Sequence, residues 1–356
     1  MKDILSFYKN KKVFVTGHTG FKGSWICKIL TMAGAEVTGY SLPAPTSPSL
    51  FEVANIERGI NSFIGDICDY ATLKRTFDTA EPDIVFHLAA QPIVKVGYEN
   101  PYQTYYTNVM GTVNILECVR TSSCVKSFLN ITTDKVYLNK EHEWGYRENE
   151  ELDGYDPYSN SKSCSELITH CYQRSFFDNR DKCVRIPIST ARAGNIIGGG
   201  DFASYRIIPD CVRACINGED IELRNPHSIR PYQHVLDAIF AYLMVAASQY
   251  EDSGCSGAYN VGPDESECCE TKRLVDLFVS MWGGHSKAVN FTHDFPHEAC
   301  FLRLDCSKIK HTYGWQPHWN IETTVEKTVE WYKIWCSGGD VNLCMERQIN
   351  DFIYDV

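Results

Sequence analysis

The chain contains no apolar run near the ~20 residues that a helix needs to cross a bilayer, so no membrane anchor is expected. Its opening stretch, MKDILSFYKNKK, lacks the apolar core and small-residue cleavage site of a signal peptide, which points to a cytoplasmic protein. There is no basic surplus: 34 Lys and Arg stand against 45 Asp and Glu, a net charge of −11. A sequence-blind nucleic-acid binder needs the opposite balance to displace counterions, so nucleic acid is not an expected partner. Any phosphate site must then be local, built from a few Arg, Lys and backbone N–H groups. Cysteine is abundant, at 16 of 356 residues, yet no two cysteines have the CxxC spacing. Cys211/Cys215 and the adjacent Cys268–Cys269 also lack zinc-ligand spacing, so neither a metal site nor a structural disulfide is expected. In a reducing compartment these side chains read as small buried hydrophobes. Internal repeats, low-complexity tracts and charge runs of five or more are all missing.

What is present is an ordinary globular composition, 44% apolar and 22% charged, which excludes disorder as the main state. The length suits about two domains at roughly 150 residues each. Short apolar runs at Val13–Thr16, Glu36–Tyr40, Asp83–Leu88, Ser127–Ile131 and Cys183–Ile188 read as strands. Helical spacing separates them, as in Tyr102–Val119, where Val109, Val113, Leu116 and Val119 recur at steps of three and four. Tyr158–Phe177 is a second long helical stretch. This alternation predicts an α/β fold, a doubly wound, Rossmann-like parallel sheet covered on both faces. After about residue 190 the texture turns to loops, at Gly198–Gly200 and Leu223–Gln233, around a short helix near Pro209–Ile216. From Cys255 onward loops and short helices are expected. The predicted division is a dinucleotide-binding domain over 1–190, with a return segment near 232–262, and a smaller mixed substrate domain over 191–356.

The first strand runs into Thr16-Gly17-His18-Thr19-Gly20-Phe21-Lys22-Gly23, and a helix follows. A tight turn out of the strand needs Gly17, close approach of a pyrophosphate needs Gly20, and close packing of the helix needs Gly23. The helix N-terminus adds free N–H groups and a positive dipole end. A glycine turn with packing duties alone is the plainer reading, but the strand–loop–helix context favours a dinucleotide. Gly17, Thr19, Gly20, Phe21, Lys22 and Gly23 are therefore the candidate phosphate loop. The second strand ends in Gly39-Tyr40-Ser41-Leu42-Pro43, with neither an acid for the adenosine ribose nor an Arg for a 2′-phosphate; NAD is the expected cofactor. Asp66 and Ile67, after a third strand, and Leu88, Ala89, Ala90 and Gln91, after Asp83–Leu88, fall where adenine and nicotinamide-ribose contacts belong.

Tyr158 and Lys162, four residues apart on a predicted helix, share one face. An ammonium there lowers the Tyr pKa, so that the phenol can take a proton from a substrate hydroxyl as hydride leaves the same carbon. Thr133, at the end of the run Ser127–Ile131, supplies the third hydroxyl partner. Asp134 and Lys135 adjoin it.

These residues resemble the extended short-chain dehydrogenase/reductases that act on nucleotide sugars. The blocks VFVTGHTGFKGSW (Val13–Trp25), HLAAQP (His87–Pro92), NITTDKVY (Asn130–Tyr137), GYDPYSNSK (Gly154–Lys162), ARAGNIIGGGD (Ala191–Asp201) and RNPHSIRPYQHVL (Arg224–Leu236) are similar to those of the CDP-glucose 4,6-dehydratases. The resemblance covers roughly residues 8–330. It implies CDP-glucose as substrate, oxidation of C4, loss of water across C5 and C6, and return of the hydride to C6. It implies Asp134 as the acid for the C6 hydroxyl and Lys135 either as the base at C5 or as the cation steadying the enolate. Diphosphate contacts are implied for Asn195, Arg206 and Arg230, with Arg303 a further candidate, and a place in the active-site hydrogen-bond network for Asn108. A homodimer through the helices Tyr102–Val119 and Tyr158–Phe177 is also implied. His18 and His87 read as packing residues, and Pro296 between His293 and His297 argues against a metal pair. A 4-epimerase of the same family, a dehydratase for another nucleotide and a non-catalytic nucleotide sensor remain as alternatives. The pair after Thr133 weighs against the epimerase, and the retained Tyr158 and Lys162 weigh against the sensor.

Overall fold

The structure is a computed structural model that describes residues 2–178, 186–284, 286–290 and 301–354. Seven parallel strands form the central sheet: β1 (Lys12–Thr16), β2 (Glu36–Ser41), β3 (Asn61–Ile64), β4 (Ile84–His87), β5 (Ser127–Ile131), β6 (Ile188–Ala193) and an edge strand, Ala258–Val261. Across the sheet the order is β3-β2-β1-β4-β5-β6 and then the edge strand. Every pairing is parallel, with Val13 opposite both Val37 and Ile84. The inner strands are apolar because both faces are covered. β4 and β5 are buried at every residue. β3 is the exception, an outer strand with Phe63 and Ile64 exposed, and it shows no apolar run. Of the run expected at Cys183–Ile188, residues 183–185 lie outside the described residues.

The helices Phe21–Met32 and Val235–Glu251 seal one face of the sheet, and their apolar side chains join the larger core. The helices Tyr70–Ala80, Gly111–Arg120 and Pro157–Tyr172 lie on the other face. The expected single helix over Tyr102–Val119 is interrupted. A π turn at Tyr106–Met110 separates two α-helical pieces, and it carries the buried Asn108. Wide turns of this kind are frequent at functional sites.

Beyond residue 262 the chain forms longer helices than its sequence texture suggests: Thr271–Trp282, Ile321–Cys336 and Val341–Tyr354. They hold because each buries a stripe against a neighbour; Val325, Val329, Trp331 and Tyr332 form one such stripe. Among the described residues no helix is long and apolar enough to cross a membrane. The same residues contain no His, Cys, Asp and Glu cluster that could hold a metal; His293 and His297 lie outside them.

Candidate active site

The strand order reverses between β1 and β4, so a crevice opens beyond their carboxyl ends, where doubly wound sheets bind ligands. The phosphate loop sits there. Gly17 has φ of +77°, and a Cβ on it would stand 2.8 Å from the Ala89 nitrogen. A Cβ on Gly23 would stand 2.0 Å from the Gly17 carbonyl oxygen, so the third glycine serves the closeness of helix and loop. The helix Phe21–Met32 begins with no side-chain cap and no acid in its first turn. Its free N–H groups and positive dipole end therefore face the crevice uncompensated, which fits an anion such as a pyrophosphate. Thr19 bonds Ser41 (3.0 Å) and the Leu42 carbonyl (2.9 Å), which ties this loop to the acid-free end of β2.

The loop after β4 is held from two sides. The Thr16 hydroxyl accepts the N–H groups of Leu88 (3.1 Å) and Ala89 (3.2 Å). The Gln91 N–H donates to Asn108 Oδ1 (2.8 Å), and Asn108 Nδ2 donates to Ser161 Oγ (2.8 Å). Asn108 thus links the loop after β4 to the helix that bears Tyr158. Ala90 lies between these ties. Asp66 accepts the Cys68 N–H (2.9 Å), and Ile67 packs on Gly111, both beyond the end of β3. His87 is fixed by Thr16 and Thr112, and His18 by Ser62; burial lowers the first to about 3 and the second to about 4. Both are neutral packing residues.

Thr133, Asp134, Lys135 and Tyr158 come together in one cavity of about 300 Å³. Tyr158 faces Thr133 across this cavity, and the Thr133 hydroxyl donates to Asp134 Oδ1 (2.9 Å). Asp134 is 1% exposed, and its Oδ2 has no hydrogen-bond partner. Gly194 leaves room for that oxygen: a Cβ there would lie 2.1 Å from it. Burial pushes the Tyr158 phenol up to about 12, with Thr133 and Arg206 pulling back. The Lys162 ammonium donates to the Ile131 carbonyl (3.0 Å). Burial brings Lys162 down to about 8, with Glu166 opposing.

Below this cluster lies a fully buried ion pair that the motif search missed. Glu166 stands one helical turn beyond Lys162, and Arg192 is the charged residue inside the buried strand β6. The guanidinium grips both carboxylate oxygens at 3.0 Å. The hydroxyls of Thr132 (2.5 Å) and Thr190 (2.7 Å) complete the carboxylate's shell, and Arg192 also bonds Tyr137 (2.9 Å). Burial disfavours the charge, yet Arg192 and these hydroxyls hold Glu166 below the usual carboxylate range. Thr132 is thereby pinned directly before Thr133. A charge within an otherwise buried strand is the sequence signal that could have revealed this pair.

Six cations line the cavity beside Asp201, Asp210 and Glu222. Lys22, Lys95, Lys135, Arg206, Arg224 and Arg230 all face it, and so does Asn195. Arg206 directly precedes the helix Ile207–Asn217 and meets Asp201 at 3.5 Å; Arg230 is 3% exposed. Arg303 does not line the cavity. Its guanidinium is committed to Glu265 and lies 4.7 Å from the Phe301 ring.

The model of the family described as GDP-mannose 4,6 dehydratase matches residues 14–328. The chain belongs to that family. Among curated members it is 46% identical to a CDP-glucose 4,6-dehydratase of Salmonella typhimurium over 350 residues, 98% of each chain. It is 27% identical to the dTDP-D-glucose 4,6-dehydratase of Mus musculus, covering 91% of this chain and 89% of the relative. In fold it is similar to a dTDP-glucose 4,6-dehydratase from Bacillus anthracis in complex with NAD. That match has a TM-score of 0.72 at 22% identity and covers 90% of this chain and 96% of the other.

Proposed function

We propose that the protein is a hydro-lyase that converts CDP-D-glucose to CDP-4-keto-6-deoxy-D-glucose with NAD as resident cofactor. The observation that carries this reading is the Thr133–Asp134–Lys135 turn set against Tyr158 in one cation-lined cavity, in a chain 46% identical to a CDP-glucose 4,6-dehydratase. When bound, the cofactor supplies a hydride acceptor for C4 and later a hydride for C6. Gly17, Gly20, Gly23 and the helix N-terminus hold its pyrophosphate, with Thr19, Phe21, Lys22, Asp66, Ile67, Leu88, Ala89, Ala90, Gln91, Asn108 and Lys162 around the remainder. Tyr158 and Thr133 take the C4 hydroxyl. The resulting ketone acidifies C5, whose proton leaves to a base, with Lys135 as that base or as the cation beside the enolate. Asp134 protonates the departing C6 hydroxyl. Arg206, Arg230 and Asn195 hold the diphosphate of the sugar nucleotide.

On this reading residues 1–190, with the return segment near 232–262, serve the cofactor, and most of 191–356 serves the substrate. Its setting is the cytoplasm. The unit is a homodimer, supported by the exposed Tyr102, Tyr106, Met110, Leu167 and Phe176 on the helical segments 101–120 and 157–177. Incubation with CDP-glucose and NAD, followed by mass spectrometry, tests the assignment. Loss of one water with no net reduced cofactor is expected. A sugar epimer of unchanged mass, or reaction only with another nucleotide's hexose, would overturn it.

A further inference from the structure

Neither Glu166 nor Arg192 lines the cavity, yet their ion pair is tied to the chain on both sides of the turn that carries Thr133, Asp134 and Lys135. Before the turn, the Thr132 hydroxyl donates to Glu166 Oε1 (2.5 Å), and the Thr132 N–H donates to the Ala191 carbonyl (2.8 Å). After the turn, the Tyr137 hydroxyl accepts from Arg192 Nη1 (2.9 Å) and donates to Asn260 Oδ1 (2.6 Å). Within the turn, the Val136 carbonyl accepts from the Ser163 hydroxyl (2.8 Å). Glu166 and Ser163 stand on the helix that bears Tyr158, and Arg192 stands on β6. Thr132, Tyr137, Ser163, Glu166 and Arg192 are all buried. Stability alone is a poor reason for a buried ion pair, since apolar side chains of similar volume often serve as well or better. What apolar side chains cannot do is fix the direction of two hydroxyls. Charge-assisted hydrogen bonds do this, being shorter and stronger than neutral ones.

We propose that the Glu166–Arg192 pair is a two-ended clamp that sets Thr133 and Asp134 against Tyr158, which makes Thr132, Tyr137, Glu166 and Arg192 positioning residues for the reaction. The proposal rests on the 4,6-dehydratase reading, in which Tyr158 and Thr133 meet the C4 hydroxyl and Asp134 meets the C6 hydroxyl. These groups must reach two neighbouring parts of one sugar ring, and productive geometry tolerates an error of about 0.5 Å. A turn held at one end could pivot about that end. Held at 132 by Glu166 and at 137 by Arg192, it keeps one distance from the Tyr158 helix. The diphosphate contacts of Arg206, Arg230 and Asn195 lie outside the clamp, so releasing it changes the reacting groups and leaves substrate binding in place.

Thr132→Val and Tyr137→Phe each delete one hydroxyl and keep both members of the ion pair, and Thr132→Ser restores the first hydroxyl. In T132V, Glu166 retains its bonds to Arg192 and Thr190. Turnover of CDP-glucose by the NAD-loaded enzyme is measured well below each variant's unfolding midpoint, and amide hydrogen exchange is measured on the same samples. Wild type must first show water loss. T132V and Y137F are each expected to lose about 10- to 100-fold in kcat, with KM within about twofold. Exchange is expected to quicken in residues 133–137 and to stay unchanged in β1 and β4. T132S is expected to return kcat and exchange to near wild type. An unchanged kcat in both variants, even with a lowered unfolding midpoint, would mean that the pair serves stability alone and would overturn the clamp. A loss confined to one variant would overturn its two-ended form, and a rise in KM with kcat held would overturn its role in positioning. Absence of water loss in wild type would instead reject the dehydratase reading. Exchange would then decide the clamp by itself: quickening confined to 133–137 would uphold it, and unchanged exchange would overturn it.

Discussion

At the scale of single residues, the site depends on one missing methyl group. Asp134 Oδ2 occupies the space above Gly194, where an added Cβ would lie 2.1 Å away. Displacement of a catalytic group by about 1 Å costs on the order of a hundredfold in rate. Gly194→Ala is therefore expected to lower kcat by about that factor while KM and the far-ultraviolet circular dichroism spectrum hold. An unchanged kcat would show that Asp134 is not the acid. Lys22 offers a pH test. It stands in the first helical turn, half-buried, and burial with Arg206 and Lys162 brings its ammonium down to about 7, with Asp134 opposing. A diphosphate favours the charged form, so above that pH the ligand has to bring a proton with it. NAD affinity, measured by calorimetry, is then expected to weaken as pH rises past 7, by up to about tenfold per unit. K22M should bind more weakly below pH 7 and lose that part of the slope.

Among the elements, the helix Pro157–Tyr172 and the strand β6 are joined by Glu166 and Arg192, both 0% exposed in their side chains. Removing one member of such a pair leaves a buried charge without compensation, at a cost of about 3–5 kcal/mol. Glu166→Ala is expected to lose that much in urea unfolding, and Glu166→Ala with Arg192→Leu to recover part of it. A loss below about 1 kcal/mol for the single variant would mean that water or another group neutralises Arg192. The same pair shows why some elements were readable from the chain and others were not. β1, β2, β4 and β5 announced themselves because burial on both faces selects unbroken apolar runs. β3 did not, since it lies at the open edge with Phe63 and Ile64 in solvent. The π turn at Tyr106–Met110 left no trace in helical spacing, because it is stabilised by tertiary bonds of Asn108 to Gln91 and Ser161. Thr133, Asp134 and Tyr158 were legible by motif. Lys162's turn onto Ile131 and Arg303's commitment to Glu265 were not, since both depend on partners distant in sequence.

For the whole molecule, the cavity joins residues as far apart as Phe21 and Thr271, and its cations outnumber its carboxylates although the net charge is −11. The acidic remainder keeps the surface from binding polyanions at large, while the cavity concentrates small ones. The outer face of the helical segments 101–120 and 157–177 is the proposed contact between two copies. Tyr102 is 76% exposed there and stacks on Tyr106, and Leu167 is 52% exposed. Leu167→Glu is expected to shift sedimentation velocity from dimer to monomer without changing the fold. A variant that stays dimeric would place the contact elsewhere.

The sheet's edge strand and the helix Val235–Glu251 have a consequence for how the protein is made. Ser127 bonds Ala246 (2.8 Å) and Tyr8 bonds Leu243 (2.7 Å), so early segments lean on a helix that leaves the ribosome much later. Until that helix emerges, the part of this sheet face that Phe21–Met32 does not cover is bare, and β6 is an open rim. Such surfaces invite association with other chains. The first half of the chain therefore completes its burial only after residues 235–261 have been made.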